Sequence, residues 1–136
     1  MTASTERRLL QIFVALACLV PLFAGGEGVL TGPSMVKGVD AAPADLDSHF
    51  RYLSGLLLGI GIAFALSIPR IEKSSTLFRV LGFLVVVGGI GRLLSLIEQG
   101  TPGAGHVFGL AMELLVTPAL VLWQGRVARR CQAVAA

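Results

Sequence analysis

The sequence predicts an all-α fold: a polytopic membrane protein with four transmembrane helices in an antiparallel bundle. Three observations carry that prediction. Of 136 residues, 54% are hydrophobic and only 14% charged. With a mean hydropathy of +0.82, the chain is too apolar for a soluble domain of its size. Apolar runs long enough to cross a bilayer occur four times, at about 9–29, 48–69, 77–97 and 106–124. The Lys and Arg residues gather in short clusters at the ends of those runs, as topology signals do, and form no patch interleaved with aromatics. The net charge of +3 therefore does not point to nucleic acid. The whole of 1–136 reads as a single four-span domain.

The first run follows Arg7 and Arg8 and has 18 uncharged residues from Leu9 to Gly26. That is longer than the core of a secretory signal, so it is expected to be a span, kinked or ended near Pro21 and Gly25-Gly26. Residues 31–47 form the one long polar connection, with Gly32-Pro33, Gly38, Pro43 and three Asp, and read as an outer loop. The second run, 48–69, has a charged, aromatic entrance at His49, Phe50, Arg51 and Tyr52. Between Arg51 and Arg70 lie 18 uncharged residues, roughly 27 Å of helix, about the thickness of the hydrocarbon layer. Gly55, Gly59 and Gly61 leave one side of it without bulk, where another helix is expected to approach. A charged link, Arg70 to Arg79, leads to the third run, which is interrupted by Arg92. A turn from Glu98 to Gly105 leads to the fourth, which carries Glu113 and Pro118 and is closed by Arg126, Arg129 and Arg130.

Eight basic residues lie at the N-terminus, the second link and the C-terminus, against Lys37 alone in the other connections. By the positive-inside rule both termini are cytoplasmic, and the loops at 31–47 and 98–105 face outward. In a bacterium the membrane would be the inner one, and the outer loops would meet the periplasm. Tyr52 and Trp123 then fall near opposite interfaces, as an aromatic belt places them. Cys18 lies in the membrane and Cys131 in a reducing compartment, so no disulfide is expected.

This topology sets the depth of each ionisable group. Arg92 is 13 residues past Arg79, and Glu113 is 13 residues before Arg126. Each is therefore about 20 Å above the inner interface, and the two are level with each other. Glu27 and Arg51, each 19 residues from an inner arginine, reach about 28 Å, the outer interface. His49 and His106 are level with that rim. On the fourth helix His106, Gly109, Glu113 and Thr117 share a face. On the third, Gly88, Arg92, Ser95 and Gln99 do likewise. An unpaired charge in hydrocarbon costs about 2.5 to 3.5 kcal/mol on insertion scales, so these groups should turn toward one another.

Glu27, His49, Arg51, Tyr52, Arg92, His106 and Glu113 are thus the candidate ligand-binding residues, forming a polar pocket open to the outside. Two readings of Arg92 and Glu113 stay open: an ion pair that sets helix register, or part of a ligand or proton site. No metal is expected, because the spacing of the His and Glu residues matches no ligand motif and two arginines compete for the carboxylates. Gly82, Gly88, Gly89 and Gly91 lie inside an apolar run and read as helix-packing positions instead of a phosphate loop.

The combination HFRYLSGLLLGIG at 49–61, GGIGRLLSL at 88–96, a Gly-Thr-Pro turn and ELLVTPAL at 113–120 resembles the bacterial four-helix membrane proteins of the domain-of-unknown-function family numbered 4345. The resemblance runs from the first span to about Trp123. It implies a four-span architecture, and it carries over no activity and no catalytic residue.

Two function classes follow. In one, the protein is a binding or accessory module whose pocket takes a lipid head group, a small anionic ligand or a partner membrane protein, with Arg51 and Arg92 as the anion-binding groups. In the other, it is a small membrane enzyme or proton-coupled carrier in which His49 or His106 exchanges protons with Glu113. No catalytic motif is present, which favours the first, and the residues name no cofactor. The partners implied are the bilayer, such a ligand, and a membrane protein or a second copy of the chain.

Overall fold

The structure is a computed structural model that describes residues 2–135. Met1 and Ala136, the ends of the expected domain, lie outside the described residues. Helix α1 spans Ala3–Thr31 and is followed by a 3₁₀ turn, Gly32–Met35. Helix α2 spans Ala44–Ser67, and a second 3₁₀ turn, Ile68–Lys73, leads to α3, Ser75–Gln99. The last rod is built from α4, Ala104–Ala111, a π-helical turn, Met112–Val116, and α5, Thr117–Ala135. Four stretches are long and apolar enough to cross a membrane: Ala3–Met35, Ala44–Lys73, Ser75–Gln99 and Ala104–Val134. The chain is an all-α, multi-pass membrane protein.

Two compact units divide the chain, one of Met1–Val14 with Ser67–Ala136, the other of Ala15–Leu66. In the first, the core consists of Leu10 and Val14 from α1, Ile71 from the 3₁₀ turn, Phe78 and Leu81 from α3, and Val127 and Ala128 from α5. The link after α2 is consequently no free loop. A helix end in an apolar setting leaves carbonyls that must find donors, and here side chains supply them. Gln11 Nε2 donates to the Ile68 carbonyl at 2.8 Å, Arg7 Nη2 to that of Pro69 at 2.9 Å, and Gln124 Nε2 to that of Ile71 at 2.7 Å. Arg7 also pairs with Glu72, and the buried Glu6 pairs with both Arg126 and Arg130.

The π turn has a local cause. Pro118 has no N–H to donate, and its ring would press on the carbonyl one turn earlier. A widened turn absorbs the mismatch immediately before it. The hydroxyl of Thr117 donates to the carbonyl of Met112 at 2.8 Å, as does its backbone N–H.

In the second unit, α1 and α2 meet through glycine. A Cβ on Gly25 would lie 2.6 Å from the backbone nitrogen of Leu58, and one on Gly61 3.1 Å from Pro21 Cγ. Gly28 likewise leaves room only for Ser54. The expected approach along Gly55, Gly59 and Gly61 is therefore realised only at Gly61. Gly59 has nothing within 4 Å, and Gly55 has only a methyl of Val29 at 3.8 Å. The small residues that decide the contact are Gly25 and Gly28 on α1 with Ser54 and Gly61 on α2. Nor does α1 end near Pro21: it continues to Thr31, since a membrane helix tolerates an internal proline where neighbours compensate for the lost hydrogen bond.

The connection between α1 and α2 is shorter than the polar composition of 31–47 suggests. Pro33 is the second residue of the 3₁₀ turn, where its missing N–H costs nothing. Asp45 and Asp47 fall in the first turn of α2, where carboxylates complement the positive end of the helix.

Candidate functional site

The polar groups expected to form the site lie at two places, one in each unit. In the first unit Arg92 comes from α3, His106 from α4 and Glu113 from the π turn. The guanidinium forks onto the carboxylate, with Nε at 2.9 Å from Oε2 and Nη2 at 3.1 Å from Oε1. Its remaining nitrogen, Nη1, lies 2.9 Å from Nδ1 of His106. Arginine has donors and no acceptor, so Nδ1 is the accepting atom in this contact. The pairing of Arg92 with Glu113 is the one the depth count predicts.

Glycine makes the fork geometrically accessible. A Cβ on Gly89, one turn before Arg92, would sit 2.8 Å from Glu113 Cβ and from Leu114 Cδ2. One on Gly109 would be 3.7 Å from Arg92 Cζ, so the guanidinium lies against bare backbone. Gly82 gives α5 a similar approach through Val121, at 2.5 Å, whereas Gly88 and Gly91 have nothing within 4 Å. Of the four glycines expected to pack helices, two do so. The pair is half-buried, with the side chains of Arg92 and Glu113 31% and 16% exposed, while His106 is exposed.

In the second unit Arg51 is occupied differently. Its Nε and Nη2 bond the two oxygens of Asp47, at 2.8 and 3.2 Å, one helical turn earlier on α2. Its Nη1 donates to the carbonyls of Val29 and Leu30 at 2.7 and 2.9 Å. These are among the last carbonyls of α1, so Arg51 caps that helix. Gly32 permits this twice over: its φ of 63° turns the chain out of the helix, and a Cβ there would come within 2.9 Å of Arg51 Nη2. Glu27, His49 and Tyr52 are exposed, and the backbone carbonyl of Glu27 accepts from the Thr31 hydroxyl at 2.8 Å.

The seven expected residues therefore fall into two groups. Arg92, His106 and Glu113 are brought together by side-chain bonds, whereas of Glu27, His49, Arg51 and Tyr52 only Arg51 is tied into a network. Asp47 is the partner of Arg51, and the i, i+4 spacing was the signal for it. An open depression of about 450 Å³ lies at the connection between α1 and α2, lined by residues that include Ser34, Asp40 and Asp47. The contributions of Gly89 and Gly109, and of the π turn, had no separate signal beyond small residues and a proline.

A family model described as a domain of unknown function, DUF4345, matches residues 9–124. The chain belongs to that family. No curated protein and no solved structure matches it. For a DUF4345 protein the matched region takes in both polar groups and leaves outside it Glu6 and the basic tail beyond Gln124.

Proposed function

We propose that the protein is a small binding or accessory module of the membrane, and that Arg92, held by Glu113, is its anion-recognising group. The observation that supports this is the third arm of the guanidinium. Two arms are committed to Glu113, but Nη1 rests on Nδ1 of an exposed ring. A charged oxygen in that place makes a shorter, stronger bond than imidazole does. A phosphate or carboxylate of a lipid, a small ligand or a partner would thus displace His106 while the Arg92–Glu113 fork stays intact. Arg51, with all three nitrogens engaged, serves in this reading as a helix cap. The reading places both termini in the cytoplasm of a bacterial inner membrane, on the eight-to-one distribution of basic residues. A periplasmic signal from a reporter fused at Ala136 would reverse that orientation.

The second reading, a proton-coupled carrier or membrane enzyme, has one observation in its favour. Protonating His106 at Nδ1 would sever its bond to Arg92, so the contact is proton-sensitive. Against it, both oxygens of the Glu113 carboxylate are already occupied by Arg92.

The test uses purified protein and a panel of small phosphates and carboxylates. In the binding reading one of them raises Tm by mass action, and His106→Ala preserves or enlarges that rise because the displaced group is gone. The same ligand should alter the nitrogen resonances of His106 in ¹⁵N-histidine spectra, where only His49 and His106 contribute. Loss of the shift in His106→Ala would sink the displacement mechanism.

A further inference from the structure

The first unit has a second polar place, at the other end of the last rod. An open depression of about 500 Å³ is lined by Glu6, Leu122, Trp123 and Arg126. Its walls change character within one helical turn. Leu122 is 75% exposed and belongs to the end of the apolar run, and Arg126 is the first charged residue after that run. Trp123 is fixed between them by an edge-to-face contact with Phe13 of α1, ring centroids 5.6 Å apart. Glu6 contributes a carboxylate, but Arg126 Nε at 3.2 Å and Arg130 both pair with it. Two guanidinium groups on one carboxylate leave the trio net positive, and Arg126 keeps a side chain 63% exposed.

We infer that this depression is a binding site for an anionic phospholipid, whose phosphate sits on Arg126 and whose acyl chain lies along Leu122 and Trp123. An apolar wall continuous with a net-positive one fits an amphiphile with a negative head. A soluble anion would gain nothing from Leu122, and a zwitterionic lipid would gain less from Arg126. Arginine suits this place because its planar fork can hold Glu6 with one edge and still donate to phosphate. The inference does not depend on the role proposed for Arg92.

Trp123 is the only tryptophan in the chain, so its fluorescence reports on this depression directly. The protein is reconstituted in phosphatidylcholine vesicles and titrated with phosphatidylglycerol or phosphatidylcholine carrying brominated acyl chains, which quench a tryptophan they touch. The expected result is tighter association of the anionic lipid by about fivefold, the effect of one basic side chain near a membrane surface. Arg126→Gln should bring the two lipids to parity. Arg129→Gln removes a neighbouring charge that does not line the depression and should leave the preference nearly unchanged. Glycerol phosphate at the same concentration should not relieve quenching by the brominated anionic lipid. Equal quenching by both lipids in the wild type would overturn the inference, and that measurement requires no variant. Equal effects of Arg126→Gln and Arg129→Gln would show a diffuse basic field instead of a site. Full relief by glycerol phosphate would show that the depression takes soluble anions.

Discussion

Arg51 and Arg92 stand at the entrance and in the interior of apolar runs, and by position alone they invite the same interpretation. Their surroundings separate them. Arg51 bonds a carboxylate on its own helix and two main-chain carbonyls of α1. Arg92 bonds a carboxylate on another helix and an exposed ring. Each guanidinium has three nitrogens, and what occupies the third decides its use. Backbone carbonyls at a helix end lack an intrahelical donor, and Arg51 supplies one to each of two of them. The imidazole of His106 is exposed and can turn to water, as the proposed exchange at Arg92 requires.

The largest expected effect tests the Arg92 side of this contrast. Arg92→Ala or Glu113→Ala leaves a half-buried charge without its partner and should cost about 3 kcal/mol, at the low end for such losses because both side chains are partly exposed. The double variant should cost about 1 to 3 kcal/mol less than the sum. Thermal unfolding in detergent of the two single variants and the double variant measures the coupling, and strict additivity would dissolve the pair.

Next in size is the glycine that lets the pair form. Gly89→Ala places a methyl 2.8 Å from Glu113 Cβ, and overpacking of this kind costs about 1 to 3 kcal/mol. Gly88→Ala, one residue away with nothing within 4 Å, should be neutral or stabilising by up to about 1 kcal/mol through helix propensity alone. A similar loss in both would mean that α3 does not present Gly89 to Glu113.

Arg51→Gln should lower Tm by less than Gly89→Ala does, because its ion pair with Asp47 is one turn apart on a partly exposed helix surface. Asp47→Asn should lower it less again, since the carbonyl bonds to Arg51 survive. Hydrogen exchange should localise the Arg51→Gln effect to the last turn of α1. Protection loss spread evenly over α1 and α2 would argue against the capping role.

The smallest expected effect is that of His106→Gln. An amide oxygen can accept from Arg92 as Nδ1 does, so Tm should change by no more than a degree or two, and any larger loss would make the ring a structural member of the cluster.

Much of this protein was legible without coordinates because hydrocarbon imposes one-dimensional rules. Length and hydropathy mark the four spans. A rise of 1.5 Å per residue converts sequence distance into depth, which is why Arg92 and Glu113 could be matched across a turn. Depth says nothing about azimuth or local helix geometry. The rows of Gly55, Gly59 and Gly61 and of Gly82, Gly88, Gly89 and Gly91 looked equivalent along the chain, yet only Gly61, Gly82 and Gly89 meet a close neighbour. Which side of a helix faces another depends on packing summed over both.

Composition, span number and the level of each charge are set by the order of residues along the chain, because the cost of exposing a charge or a backbone amide to lipid is the same whatever the neighbours. The occupants of each polar atom were decided only by the folded arrangement. Gln124, two apolar runs away from the link it caps, reaches the Ile71 carbonyl, and Glu6 reaches Arg126 and Arg130 across more than a hundred residues. Such bonds form when helices come within side-chain reach, and no periodicity within a single helix records that distance.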